Sequence, residues 1–268
     1  MSRTLTEVST EAATCTRCRL AESRTQVVFG VGNAEADLMF IGEAPGFHED
    51  KQGEPFVGAA GQLLTRMLVE IGLRREDVYI ANVLKCRPPA NRDPLPDEIE
   101  TCTPWLVEQL SIIQPSLVGT LGNFATKFVL NTSQGITRLR GQTFPWHGRT
   151  VIPTFHPSAI LRSGGDGSKQ FELFREDFLL IGRTLEALQQ PPPAEDPGIV
   201  AAGEPAAGAA RRTPRRPLWS RRRSLSGVRR ASEQLQLFLS GRATPSSSPG
   251  SSEPARRRSC KGSHVDST

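Results

Sequence analysis

Four short apolar runs recur at wide spacing: DLMFI (37–41), VYIANVL (78–84), SLVGTLG (116–122) and TVIPTF (150–155). Between them lie stretches with helical period, AAGQLLTRMLVEIG, PDEIETCTPWLVEQLSII and NFATKFVL. TLTEVSTEAA reads as a short N-terminal helix running into CTRC. SKQFELFREDFLLIGRTLEAL reads as a long amphipathic helix with Phe171, Phe174, Phe178 and Ile181 on one face. Strands alternating with helices make an α/β fold with a mainly parallel sheet covered on both sides. Ligands of such sheets sit beyond the C-terminal strand ends. The residues expected there are Glu43, Asn82, Gly122–Asn123 and His156, so the strand ends open onto a pocket.

After the first run the chain enters GEAPGFHEDKQGEPFVGAAGQLL, a segment with five glycines and two prolines. Its loop reaches from Gly42 to about Gly58 before a helical pattern resumes. Loops of that length inside a domain are usually functional or disordered. Glycine and proline here allow close backbone approach to a ligand and unusual dihedrals.

Composition breaks near QQPPPAEDPG. Residues 1–190 are an ordinary globular mixture, whereas 191–268 are rich in Pro, Ala, Gly, Ser and Arg. That tail is expected to be disordered, since it buries too little apolar surface to offset ordering entropy. From Pro191 onward 14 Lys+Arg face 6 Asp+Glu, so of the formal +5 the tail carries +8 and the first 190 residues −3. An arginine-rich tail attracts polyanions, nucleic acid first among them, or merely solvates. The sequence carries neither a membrane-length apolar run nor a signal-peptide pattern, so a cytoplasmic protein without membrane contact is expected; a nucleoid-associated monomer is a further expectation.

Cys15 and Cys18 form C-x-x-C, Cys86 follows the second apolar run, and Cys102 lies in the following helix; Cys260 stands alone in the tail. Cytosolic thiols are seldom disulfides, and four thiolates hold zinc or an iron–sulfur cluster. Ligand count does not choose between them, although RPPANRDPLPDEIET does not look like a second zinc-ribbon hairpin. A redox pair plus two core cysteines is the alternative without metal.

These cysteines, set around GEAPGFHED, NVLKCRPPANR and HPSAILR, resemble those of the family 4 (iron–sulfur) uracil-DNA glycosylases. The resemblance covers about residues 10–188. It implies a three-layer α/β/α domain over 1–190, with a central four-stranded parallel sheet. It implies a [4Fe–4S] cluster on Cys15, Cys18, Cys86 and Cys102. The implied activity is excision of uracil from DNA, leaving an abasic site.

The chemistry needs donors aimed at the base oxygens, tolerance of positive charge near the sugar, and a tight pocket for a flipped base. His156 is placed to donate to the uracil oxygen where negative charge develops. Asn82 can donate and accept, which suits uracil and disfavours cytosine. The resemblance makes Phe56 the aromatic platform and puts Ala44 in the uracil pocket. It places Glu43 where relatives carry an activating Asp or Asn, to position water or to stabilise the cationic sugar. It sets Glu49 near C5 of uracil, excluding the thymine methyl. Asn91 is a further polar position supporting the site or the DNA. AILR after His156, with Leu161 and Arg162, resembles the loop that wedges into the minor groove, which would have Leu161 replace the extruded base. Covalently linking cousins carry GEQPG and a short basic insertion with a histidine. Ala44 stands where they have Gln and the insertion is missing, so turnover is expected.

Within the tail, Gln234-Leu235-Gln236-Leu237-Phe238 resembles the QLxLF peptide that docks on the bacterial sliding clamp. The expected contacts are Gln234, Leu235, Leu237 and Phe238. A fragment of amphipathic helix without a partner is the competing reading.

Overall fold

The structure is a computed structural model and describes residues 3–190 and 226–240. Its helices are α1 (Leu5–Ala13), α2 (Phe47–Gln52), α3 (Ala59–Glu70), α4 (Pro96–Ile113), α5 (Asn123–Leu130), α6 (Ile136–Leu139), α7 (Pro157–Arg162), α8 (Lys169–Gln189) and α9 (Ser226–Leu239). Its strands are β1 (Val31–Gly32), β2 (Leu38–Gly42), β3 (Tyr79–Asn82), β4 (Leu117–Leu121), β5 (Phe144–Trp146) and β6 (Arg149–Thr154).

The strands form one sheet in the order β1-β3-β2-β4-β6-β5. The four central strands are parallel, as the apolar runs foretold, and β1 and β5 add antiparallel edges. The four-stranded expectation is therefore extended to six. The edges escaped notice because they are two and three residues long, too short to show alternation. β5 turns into β6 through His147 and Gly148, both at positive φ (46° and 75°), the requirement of a tight hairpin whose twist matches its strands.

Side-chain alternation sorts the core into two layers. Met39 and Ile41 of β2 face one way and pack with α1, α4 and α5. Leu38 and Phe40 face the other way, toward α3 and α8. Phe40 stacks on Phe178 of α8, ring centroids 5.6 Å apart. The C-terminal end of β6 is pinned as well: Thr154 Oγ1 donates to Asp177 Oδ2 at 2.7 Å, and Arg140 Nε donates to the same oxygen at 3.0 Å. That fixes the strand two residues before His156.

The tail departs from expectation. Residues 226–239 form α9, with Ala231 and Leu235 buried in the α1/α4/α5 layer. Ser232 Oγ donates to Phe128 O at 2.6 Å, and Gln236 Nε2 to Val129 O at 2.7 Å. Both carbonyls lie in the last turn of α5, where intrahelical partners run out. The reason for the departure is local. Val228, Ala231, Leu235 and Phe238 recur at helical spacing, so this stretch has an apolar stripe that the Arg/Pro/Ser-rich composition around it conceals. The expectation of disorder for 191–225 and 241–268, and Cys260 with it, lies outside the described residues. No helix among the described residues is long and apolar enough to cross a membrane.

Candidate active site and cysteine cluster

The strand order reverses at β2, which has β3 on one side and β4 on the other. Such a switch point opens a crevice at the strand C-termini. Gly42 and Asn82 are register partners at the ends of β2 and β3. His156 follows β6 and caps α7. A side chain at Gly42 would place its Cβ 2.3 Å from Asn82 Oδ1 and 2.9 Å from the Phe56 ring. Glycine is thus required for Asn82 and Phe56 to sit side by side.

The long loop after β2 is not structureless. Gly46 starts α2 and Gly53 ends it at φ 77°. Phe56 then sits at φ 53°, an uncommon conformation for a residue with a side chain. Its carbonyl packs directly on α3, where a Cβ at Gly61 would lie 1.6 Å from Phe56 O. Glu49 Oε1 accepts from the N–H groups of Val57 (3.1 Å) and Gly58 (3.3 Å). This carboxylate braces the turn that presents Phe56. The Phe56 and His156 rings lie 5.5 Å apart, tilted by 31°.

His156 is held in one tautomer. Its Nδ1 accepts from the Ser158 N–H at 3.2 Å and faces Ser158 Oγ at 2.8 Å. With Nδ1 an acceptor, the neutral ring carries its proton on Nε2. Burial, aided by the Arg162 guanidinium and opposed by Glu49, holds this imidazole down to about 4. Arg162 Nη1 also donates to Ser158 Oγ at 3.2 Å. Glu43 is half-buried, and burial together with the Asp93 carboxylate raises its pKa above the ordinary carboxylate value. Asn82 is buried, and its Oδ1 has no hydrogen-bond partner. A buried acceptor left unpaired is costly, which marks a place for a donor from outside the protein.

The other expected residues are dispersed around this centre. Ala44 is half-buried beside Glu43. Asn91 lies on an exposed turn at φ 53°, its Oδ1 accepting from Arg87 Nε at 2.7 Å. Leu161 is 41% exposed at the end of α7, with Arg162 next to it, also exposed. In α9, Gln234 and Leu237 are exposed, Phe238 is partly buried and Leu235 is wholly buried. Ser158 and Gly61 were missed from sequence. For Ser158 a signal existed: a Ser two residues after a helix-capping His, across a Pro, can reach its ring.

Cys15, Cys18, Cys86 and Cys102 all line one cavity, together with Arg24, Lys85 and Trp105. Burial pushes the Cys86 thiol up to about 11 and the Cys102 thiol up to about 12. Arg24 Nη1 donates to Cys86 Sγ at 3.5 Å and the Lys85 N–H to Cys102 Sγ at 3.2 Å. Among the described residues no three His, Cys, Asp or Glu converge as ligands of one metal ion. The four cysteines share the cavity wall and offer thiol sulfur alone, a donor set open to zinc or an iron–sulfur cluster.

The family profile of the Uracil DNA glycosylase superfamily matches residues 29–179, more than half of the chain, and the chain belongs to that superfamily. Three curated relatives narrow this. A type-4 uracil-DNA glycosylase of Archaeoglobus fulgidus is 49% identical over 186 residues, covering 66% of this chain and 92% of the relative. That of Thermotoga maritima is 50% identical over 158 residues, covering 58% and 82%. That of Sulfurisphaera tokodaii is 47% identical over 166 residues, covering 59% and 76%. The chain belongs to the type-4 uracil-DNA glycosylases.

Proposed function

We propose that this chain removes uracil from DNA in base excision repair, hydrolysing the N-glycosidic bond and leaving an abasic site. The observation that carries the reading is the buried, unpartnered Oδ1 of Asn82 beside Phe56 and a neutral His156. Uracil offers N3–H as a donor and O4 as an acceptor, and the Asn82 amide answers both. Cytosine presents the reverse pattern and would leave buried groups unpaired, which discriminates strongly. Phe56 supports the ring of the flipped base.

As the glycosidic bond lengthens, negative charge collects on the base and positive charge on the sugar. The Nε2–H of His156 stabilises the developing anion at O2. A neutral donor matches this task because it need not be discharged first. Glu43 orients the attacking water or steadies the cationic sugar, and its raised pKa makes the ionised carboxylate a stronger base. Glu49 closes the wall near C5, and its bonds to Val57 and Gly58 make that wall too rigid to admit a methyl group. Asn91, Leu161 and Arg162 contact the DNA around the extruded nucleotide.

Cys15, Cys18, Cys86 and Cys102 would hold the [4Fe–4S] cluster. Through these four residues the segment after α1, the Cys86 loop and α4 would be tied together, adding folding energy as bound metals do. Clamp docking through Gln234–Phe238 is part of the proposal only with release of α9, because Leu235 is fully buried against the domain.

The test is excision from matched oligonucleotides bearing U, T or hypoxanthine opposite G, with wild type, His156→Ala and Glu49→Ala. Uracil-only release, lost by orders of magnitude in His156→Ala, upholds the assignment. Thymine release gained by Glu49→Ala upholds the methyl exclusion. A cluster-loaded wild type that releases nothing sinks the proposal. Hypoxanthine release at the uracil rate would broaden the substrate class.

A further inference from the structure

Lys85 is 1% exposed, and among the described residues no carboxylate lies within ion-pair distance of it. A buried ammonium is costly unless hydrogen bonds and opposite charge surround it. The hydrogen bonds are present. Nζ donates to Asn82 O at 2.7 Å and to Gln109 Oε1 at 2.6 Å, while the Phe29 ring centroid lies 5.7 Å away. Gln109 is itself fully occupied: its Nε2 donates to Phe29 O at 2.8 Å and to Tyr79 Oη at 3.0 Å.

The cysteines are on the other side. Lys85 lines the cysteine cavity, and its own N–H donates to Cys102 Sγ at 3.2 Å. Cys102 and Gln109 lie seven residues apart on α4, on one face after two turns. Lys85 is therefore sewn to α4 at both ends, its backbone to the cysteine and its side chain to the glutamine. A cluster held by four thiolates carries net negative charge, which supplies what the ammonium lacks.

We infer that Lys85 is a positioning residue that couples the cluster site to uracil recognition, clamping the Asn82 backbone from which the base-reading amide projects. The inference rests on the proposed reading of Asn82 and of the cysteines. A buried lysine reaching three residues back to a strand-end carbonyl has no need of charge for packing alone; a methionine would fill the same volume. The charge is explained if it faces thiolates, and the geometry is explained if Asn82 must not shift. Loss of the cluster would then loosen uracil recognition without any cluster atom touching the base.

Two variants separate these roles in the cluster-loaded full chain. Lys85→Met removes the charge and both side-chain bonds; Gln109→Met keeps the charge and removes one tether. For Lys85→Met, kcat/KM on a uracil oligonucleotide is expected to fall at least tenfold. Inhibition by free uracil should weaken in parallel, and the cluster reduction potential should move negative because a nearby cation is lost. For Gln109→Met, uracil inhibition should weaken several-fold while the potential stays at the wild-type value. Lys85→Met with wild-type potential and wild-type uracil inhibition overturns the inference. If Lys85→Met does not accumulate folded, Gln109→Met decides: wild-type uracil inhibition in that variant overturns it equally. A wild-type chain that does not excise uracil would sink the functional proposal instead, and the potential of Lys85→Met would still test the charge contact.

Discussion

Lowering the pH from 7 to 4 should destabilise this protein through His156 in particular. Its imidazole, ordinarily at 6.5, is held down to about 4, chiefly by burial. Between those values the unfolded chain takes up a proton that the folded protein does not. Stability is therefore full above pH 6.5 and declines as the pH falls through this window, levelling off below about 4. At about 1.4 kcal/mol per pH unit, the gap amounts to about 3 kcal/mol, a sizeable part of the 5–15 kcal/mol that keeps a typical domain folded. His156→Gln retains a polar side chain but does not titrate, so its stability should lack this decline. Urea unfolding of both proteins at several values from about pH 7 to about pH 4 measures the difference. Wild type should lose about 2–3 kcal/mol more than the variant. On uracil DNA, kcat/KM of the wild type should stay flat through pH 6.5, because the ring is already neutral there. Parallel stability curves, or a His156 proton resonance titrating near 6.5, would refute the burial argument.

Gly42→Ala should cut kcat/KM about tenfold to hundredfold, the kinetic equivalent of about 1–3 kcal/mol of overpacking, because its Cβ would intrude on Asn82 Oδ1 and Phe56. Wild-type turnover in that variant would mean the two side chains do not share the pocket wall. Cys102→Ser should lower the iron-to-protein ratio and the thermal midpoint together; undiminished iron would remove Cys102 from the ligand set. Ala231→Asp puts a charge into the α4/α5 groove at a fully buried position, so α9 should become sensitive to limited proteolysis while uracil excision holds within about twofold. A helix still protected would show that its docking does not depend on that buried face.

Much of this architecture is legible in the chain. Runs such as DLMFI and SLVGTLG are apolar on both alternating faces because both faces of a central parallel strand are covered. Their ends put Glu43, Asn82 and His156 at the C-terminal edge of the sheet, where the crevice of such a fold lies. The edges β1 and β5 were not legible, being too short for a period. α9 was half legible: its apolar stripe is in the sequence, but the groove that accepts it is made by α4 and α5. Ser158 left a trace in its spacing from His156, whereas Gly61 and Lys85 became visible only through their partners. Each matters because of one atom on a neighbour: a ring nitrogen, a carbonyl packed on a helix, a strand-end carbonyl.

Sequence alone therefore determined the order and type of the central elements, the three motifs and the cysteine set. These follow from periodicity and residue chemistry, both of which are local. Tertiary structure decided which buried groups lack a partner, which tautomer His156 adopts, and that Lys85 spans the space between Asn82 and Cys102. Those properties depend on distances across the chain and on exclusion of water, and neither exists until the layers close on the sheet.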